Sequence, residues 1–140
     1  MIAPKGNYQT YITMKKYLIL LLIPLLCSCS CYNKIARATG VSEIQFGRGG
    51  GVTNQQEVYS LNRKGELFKK GNLVCQVSCE DLERVFTMAQ ALGEPINEPD
   101  NYYWFIEVNG KQNRKFVWGG SSDVDRQLKN LYTELNQLKK

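Results

Sequence analysis

The chain contains no histidine. That removes Ser-His-Asp and Cys-His catalysis, in which the imidazole is the base, and it removes the commonest nitrogen ligand of zinc. A long apolar run is missing too. A helix needs about 20 apolar residues to cross a bilayer core, whereas residues 17–26 supply ten, interrupted by Pro24. A concentrated basic face is also lacking. Lys5, Lys15 and Lys16 precede Cys29 and no acid does, so from Cys29 onward the net charge of +5 falls to 15 basic against 13 acidic residues. The pairs Lys69-Lys70 and Lys139-Lys140 read as solvated surface, and no nucleic-acid partner is expected. There is no solenoid repeat and no low-complexity tract.

What is present begins with MKKYLILLLIPLLCSCSC, residues 14–31. Two lysines, a short apolar run and a small-residue cysteine site stand in the order of a secretory signal. Leu26-Cys27-Ser28-Cys29 resembles the bacterial lipobox, in which small residues fit the peptidase pocket and the thiol becomes a thioether to diacylglycerol. Cys27 follows the bulky Leu26, and Cys31 would place Ser28 where an aliphatic residue belongs. Cys29 is therefore the expected lipidation site, with residues 1–13 expected either to be bypassed by translation from Met14 or to be removed with the signal. Two or three acyl chains make a durable membrane anchor where one is marginal. Ser30, rather than an acid, follows Cys29, which by resemblance to lipoprotein sorting implies the outer membrane of a bacterial envelope.

The expected organisation is a signal with its upstream residues over 1–28, the lipidated cysteine and a polar tether over 29–40, and one small domain over 41–140. Export makes the remaining cysteines a redox question. Cys75 and Cys79 read either as a small loop-closing disulfide or as two buried thiols, and both readings stay open. Two sulfurs do not make a closed metal site, so neither metal nor cofactor is expected.

Alternation of Ile44 and Phe46 predicts a strand over 42–46, interrupted by Gly47-Arg48-Gly49-Gly50-Gly51. Residues 56–61 and 66–70 read as a hairpin around Asn62-Arg63-Lys64-Gly65, with a further short strand over 73–77. Ser78 followed by Asp81 predicts a helix start, and Leu82, Val85, Phe86, Ala89 and Leu92 form one helical face, ended by Gly93 and Pro95. Residues 94–101 read as a loop. YYWFIEV over 102–108, Asn109-Gly110 and residues 114–118 read as a second hairpin whose register the sequence does not fix; an odd loop would set Trp104 opposite Phe116. Ser121 or Ser122 should cap a last helix carrying Val124, Leu128, Leu131, Tyr132, Leu135 and Leu138. The fold class expected is α+β: an antiparallel sheet of four to five strands with two helices packed on one face.

The glycine run lacks the Gly-Lys-Ser/Thr of a phosphate loop and opens no helix. It reads as a bend in an edge strand or as a loop, Gly49, Gly50, Gly51, Val52 and Thr53, presented to a partner. The aromatics of residues 102–105 read as core or as a platform for a glycan or peptide. Glu94, Glu98 and Asp100 flank prolines in one loop. As hydrolase carboxylates they would need a rigid cleft shared with Glu107. Calcium binding there lacks EF-hand spacing.

The segments Ile44-Gln45-Phe46 and Gly49-Gly50-Gly51-Val52-Thr53, the hairpin ending at Gly65, residues 82–92, residues 102–108 and the Leu-rich final helix together resemble small lipoproteins common in Bacteroidota. More distantly they are similar to emfourin-type proteins, small inhibitors of thermolysin-like metalloproteases that share a Gly-Gly-aromatic-small-Gly segment and a late aromatic strand. Val52 stands where that segment has an aromatic and Asn54 where it has a further glycine, and no single residue role is carried over. The resemblance implies a non-enzymatic, protein- or peptide-binding domain held at the membrane. The alternatives are a structural accessory subunit of an envelope complex and a carboxylate-based hydrolase. In cells grown on labelled palmitate, the wild-type chain should take up label and Cys29→Ala should not. Label retained by Cys29→Ala would place the acylated thiol elsewhere.

Overall fold

The computed structural model describes residues 30–140, and the signal and Cys29 lie outside the described residues. The chain divides after Cys31, and the folded unit that follows is Tyr32–Lys140. Its class is α+β, as the pattern predicts, but it has seven strands and three helices. Helix α1 covers residues 30–39. Then come β1 (Val41–Gly50), β2 (Glu57–Asn62), β3 (Glu66–Lys69), β4 (Asn72–Gln76), α2 (Cys79–Gln90), β5 (Asn97–Glu98), β6 (Tyr102–Gly110), β7 (Arg114–Gly119) and α3 (Arg126–Gln137). The sheet order is β4-β3-β2-β1-β6-β7-β5, antiparallel except for β5 beside β7.

One face of the sheet carries the core. Ile44 and Phe46 of β1, Leu61 of β2, Leu67 of β3, Ile106 and Val108 of β6, and Phe116 and Trp118 of β7 pack with Leu82, Val85, Phe86 and Ala89 of α2 and Leu128, Leu131 and Leu135 of α3. Burying each large side chain contributes roughly 1.5–3 kcal/mol, so the two helical stripes read from the sequence are what close this layer. The Ser78 cap also forms, its hydroxyl accepting from the Asp81 amide at 3.1 Å.

Several expectations are corrected. Residues 30–39, expected to be a tether, are helical. Ile35 is buried, the Tyr32 hydroxyl donates to Val77 O at 2.8 Å, and the Thr39 hydroxyl donates to Ile35 O at 2.9 Å. The extra strand β5 lies inside the expected loop, held by Val117 N donating to Ile96 O at 2.8 Å. Helix α3 is capped by Asp125, which accepts from Gln127 N at 3.0 Å. The serines expected there are engaged elsewhere: Ser122 Oγ donates to Glu98 O and Ser121 Oγ donates to Asp100 Oδ2, both at 3.1 Å. Trp104 stands opposite Trp118, and Phe116 faces Ile106. Gly110 stays paired with Val41 of β1 while its amide donates to Asn113 Oδ1, so the turn after β6 is longer than a tight one and shifts the register.

The end of α2 is not made by a left-handed Gly93. The chain leaves through Ala91 in a right-handed conformation, and a residue distant in sequence does the capping. Arg114 on β7 donates from Nη1 to Leu92 O at 2.7 Å and from Nη2 to Ala89 O at 2.8 Å. A guanidinium there satisfies orphan carbonyls and opposes the negative end of the helix dipole. Arg114→Met keeps the aliphatic stem and removes the donors. It should lower the unfolding free energy by about 2 kcal/mol in a denaturant titration. A change within about 0.5 kcal/mol would refute the capping role.

Candidate functional site

The glycine run does not interrupt β1: Gly47 to Gly50 form the end of that strand, and Gly51 opens the turn after it. β1 is central, pairing with β2 through Arg48↔Glu57 and with β6 as far as Gly50↔Tyr102. The expected edge strand is therefore a middle one. Glycine is needed there because neighbours come too close for a side chain: a Cβ on Gly47 would land in the carbonyl of Glu57, and one on Gly49 would sit 2.6 Å from the Tyr103 hydroxyl. Gly49 is buried accordingly.

Past Gly49 the chain changes character. Gly50 and Gly51 take φ of +95° and +83°, a region L side chains rarely adopt. Gly51 N donates to Asn101 O at 2.7 Å, and Asn54 N donates to Gly51 O at 3.1 Å. These bonds pin both ends of a turn over 51–54. At its tip Val52 is fully exposed, at 105 % of its reference area, and Thr53 is exposed beside it. Of the five residues expected to meet a partner, Gly49 and Gly50 thus form the base and Gly51, Val52 and Thr53 the accessible tip.

A charged cluster lies next to this turn, on the helix-bearing face of the sheet. Glu57 Oε2 accepts from Arg48 Nε at 3.0 Å and Glu57 Oε1 accepts from Lys69 Nζ at 2.7 Å. The hydrogen bond from Lys69 is the main reason that the Glu57 carboxyl is held at about 2, with the Tyr59 hydroxyl and Arg48 adding to it and burial opposing. Tyr59 is stacked on Phe46, with ring centroids 5.5 Å apart. Lys139, from just beyond α3, places Nζ 3.9 Å from the Tyr59 centroid and 2.5 Å from Asn136 Oδ1. Burial pushes the Lys139 ammonium below its ordinary value; Glu57 opposes this, and the charges of Arg48 and Lys69 add to it. Lys69 and Lys139, one from each pair read as solvated surface, thus converge with Arg48 at one end of the sheet. No spacing in the sequence signals this, because the neighbours Arg48–Glu57 and Tyr59–Lys69 are cross-strand partners defined only by register.

No protein-family model matches the chain, and no curated protein matches it either.

The bridge between Cys75 and Cys79 does not form. Cys75 is a free thiol, its Sγ donating to Leu138 O at 3.3 Å, while Cys79 and Cys31 are each disulfide-bonded. Cys75 lies in edge strand β4 and Cys79 opens α2, and the Cys75 thiol turns toward the end of α3 instead. The acids do not converge either. Glu94 lines a small hollow with Ile96 and Phe116, whereas Glu107 lines a separate groove on the helix-free sheet face and stands 3.7 Å from Lys115. Glu98 and Asp100 are exposed. Among the described residues no group of three or more potential metal ligands occurs. The aromatics divide by strand alternation: Trp104 packs on the core, Phe105 is buried on the helix-free face, and Tyr102 stays exposed.

The depressed Glu57 carboxyl makes stability pH-dependent. Because its folded value lies below the ordinary 4.5, its contribution is complete above about 4.5 and declines as pH falls toward 2. Glu57→Gln should therefore be less stable than wild type near neutrality, with the difference shrinking between about pH 4.5 and 2 in acid-unfolding curves. A difference independent of pH would show that the ion pairs contribute nothing.

Proposed function

We propose that the chain is a lipid-anchored envelope protein whose Tyr32–Lys140 unit is a non-enzymatic binding module that offers the turn over 51–54 to a protein partner. The observation that carries this reading is the polarity of the unit. The chain enters at Tyr32, beside Gly65 and Val77, at the end of the sheet where β1 begins. The turn with Val52 lies at the other end of β1, roughly 30 Å away for a ten-residue strand. An anchor at Cys29 would then hold one end of the unit and leave the other directed at what approaches. A large aliphatic side chain on a turn pinned by its own backbone suits an anchor residue, since little ordering entropy remains to be lost on binding.

Further support comes from the half-cystines Cys31 and Cys79, which fit an oxidising compartment outside the cytosol. The scattered carboxylates favour binding over hydrolysis. In its narrowest form the reading is inhibition of a thermolysin-like metalloprotease by the Val52 turn.

A second reading has its own observation. Edge strand β4 exposes Leu73 at 59 % and Val74 at 41 %, and among the described residues no strand pairs with its outer side. An uncharged apolar edge of this kind suits strand addition within a larger assembly, as a structural accessory subunit would need.

Titration of the full chain in detergent against a thermolysin-like metalloprotease, followed by peptide cleavage, tests the narrow form. Stoichiometric inhibition is expected, reduced at least about tenfold by Val52→Asp and unchanged by Leu73→Lys. No inhibition would remove the inhibitor form. Co-purification from membranes that is abolished by Leu73→Lys and indifferent to Val52→Asp would move the function to β4.

A further inference from the structure

Beside the Val52 turn, Arg48, Lys69, Lys70 and Tyr102 surround a concavity of about 380 Å³ floored by Gly50 and Glu57. Lys139 stands behind Lys69 against the Tyr59 ring. Arg48 and Lys69 thus pair with one carboxylate, and Lys70 and Lys139 add positive charge nearby. Glu57 engages Arg48 through Nε, and the Arg48 side chain remains 70 % exposed. Lys70 is exposed, with φ of +50° at the turn between β3 and β4. Tyr102, 66 % exposed, forms an aromatic wall, and the glycine floor leaves backbone rather than side chains beneath a ligand. An excess of fixed positive charge around a small, partly aromatic hollow favours an anion with a compact body.

The charge pattern also distinguishes between anions. Glu57 sits between Arg48 and Lys69 and remains ionised at any physiological pH. A continuous track of phosphates or sulfates laid across the hollow would meet that negative charge, and sequence-independent nucleic-acid binding draws on about six to ten phosphate contacts, more than this cluster supplies. A polypeptide carries its carboxylates on flexible side chains, which can straddle Glu57.

We propose that this concavity is an anion site that receives carboxylates of an acidic peptide segment of the partner, an inference that rests on the Val52 turn being the docking surface. The partner segment would set an apolar pocket for Val52 beside one or two acidic side chains for Arg48 and Lys70. Aliphatic contact at the tip and charge pairing at its base would then select one orientation.

The test uses fluorescently labelled hexa-L-glutamate and the full chain in a non-ionic detergent, with binding read as anisotropy at low and at physiological salt. Saturable, salt-sensitive binding is expected. It should weaken about tenfold in Arg48→Gln combined with Lys70→Asn, asparagine being chosen because it tolerates the left-handed backbone at that position. Lys70→Asn alone should weaken it measurably, which keeps the test valid if loss of Arg48 disturbs the Glu57 pairs. Lys111→Gln, beside Gly40 at the opposite end of the sheet, should leave it unchanged. Binding indifferent to Arg48 and Lys70, or absent altogether, would overturn the site. Tighter binding of hexathymidylate through the same residues would overturn the carboxylate assignment in favour of a polyanion surface. Hexaglutamate offers nothing to Val52, so its failure leaves the turn reading intact, and a failed protease titration leaves the anion site intact.

Discussion

Backbone pairing of β1 on both of its sides is the constraint from which the rest of the unit follows. A strand flanked by β2 and β6 brings both neighbours to hydrogen-bonding distance along most of its length, and only glycine at 47 and 49 lets them approach the far half. Alternation along the same strand sends Ile44 and Phe46 to the helices and Gln45 to the helix-free face. The strand therefore sets the core, the open face and the position at which the chain must turn. A bulkier residue in the glycine run would disturb the sheet itself before it altered any surface.

The far end of β1 is also where packing and charge meet. Phe46 and Tyr59 stack, Tyr132 stands edge-on to Phe46 with centroids 6.5 Å apart, and the Tyr132 hydroxyl donates to Gly47 O at 3.2 Å. Lys69 and Lys139 lie over the ring of Tyr59, and Glu57 ties Lys69 to Arg48. Exposed ion pairs are worth little singly. In this cluster the aromatic floor limits water on one side, so the charges are held as a unit beside the turn and not as separate mobile side chains.

This arrangement gives the unit a direction. The buried glycine half of β1, the left-handed pair Gly50 and Gly51 and the bonds from Gly51 and Asn54 hold the turn in one shape. The other end of the sheet receives the chain through Tyr32 and α1. The proposed membrane-tethered binder would need such a division, with one end attached and the other left free. The apolar tip and the cationic hollow share the free end, so recognition there would combine desolvation of Val52 with charge selection by its neighbours.

Periodicity and local chemistry were enough to read the two apolar helix faces, the Ser78 cap, the Tyr102 strand and the α+β class, because each depends on residues within a few positions of one another. The order of lysines, apolar run and cysteine at the start is equally local, and it underlies the proposed anchor. Tertiary structure alone decided what depends on partners distant in sequence. It made the glycine run a central strand, gave the end of α2 to Arg114, turned the tether into a helix through Ile35 and Tyr32, and separated Cys75 from Cys79. It also gathered Arg48, Lys69 and Lys139 around Glu57 and Tyr59, since cross-strand register and helix docking, which no spacing along the chain encodes, set those distances.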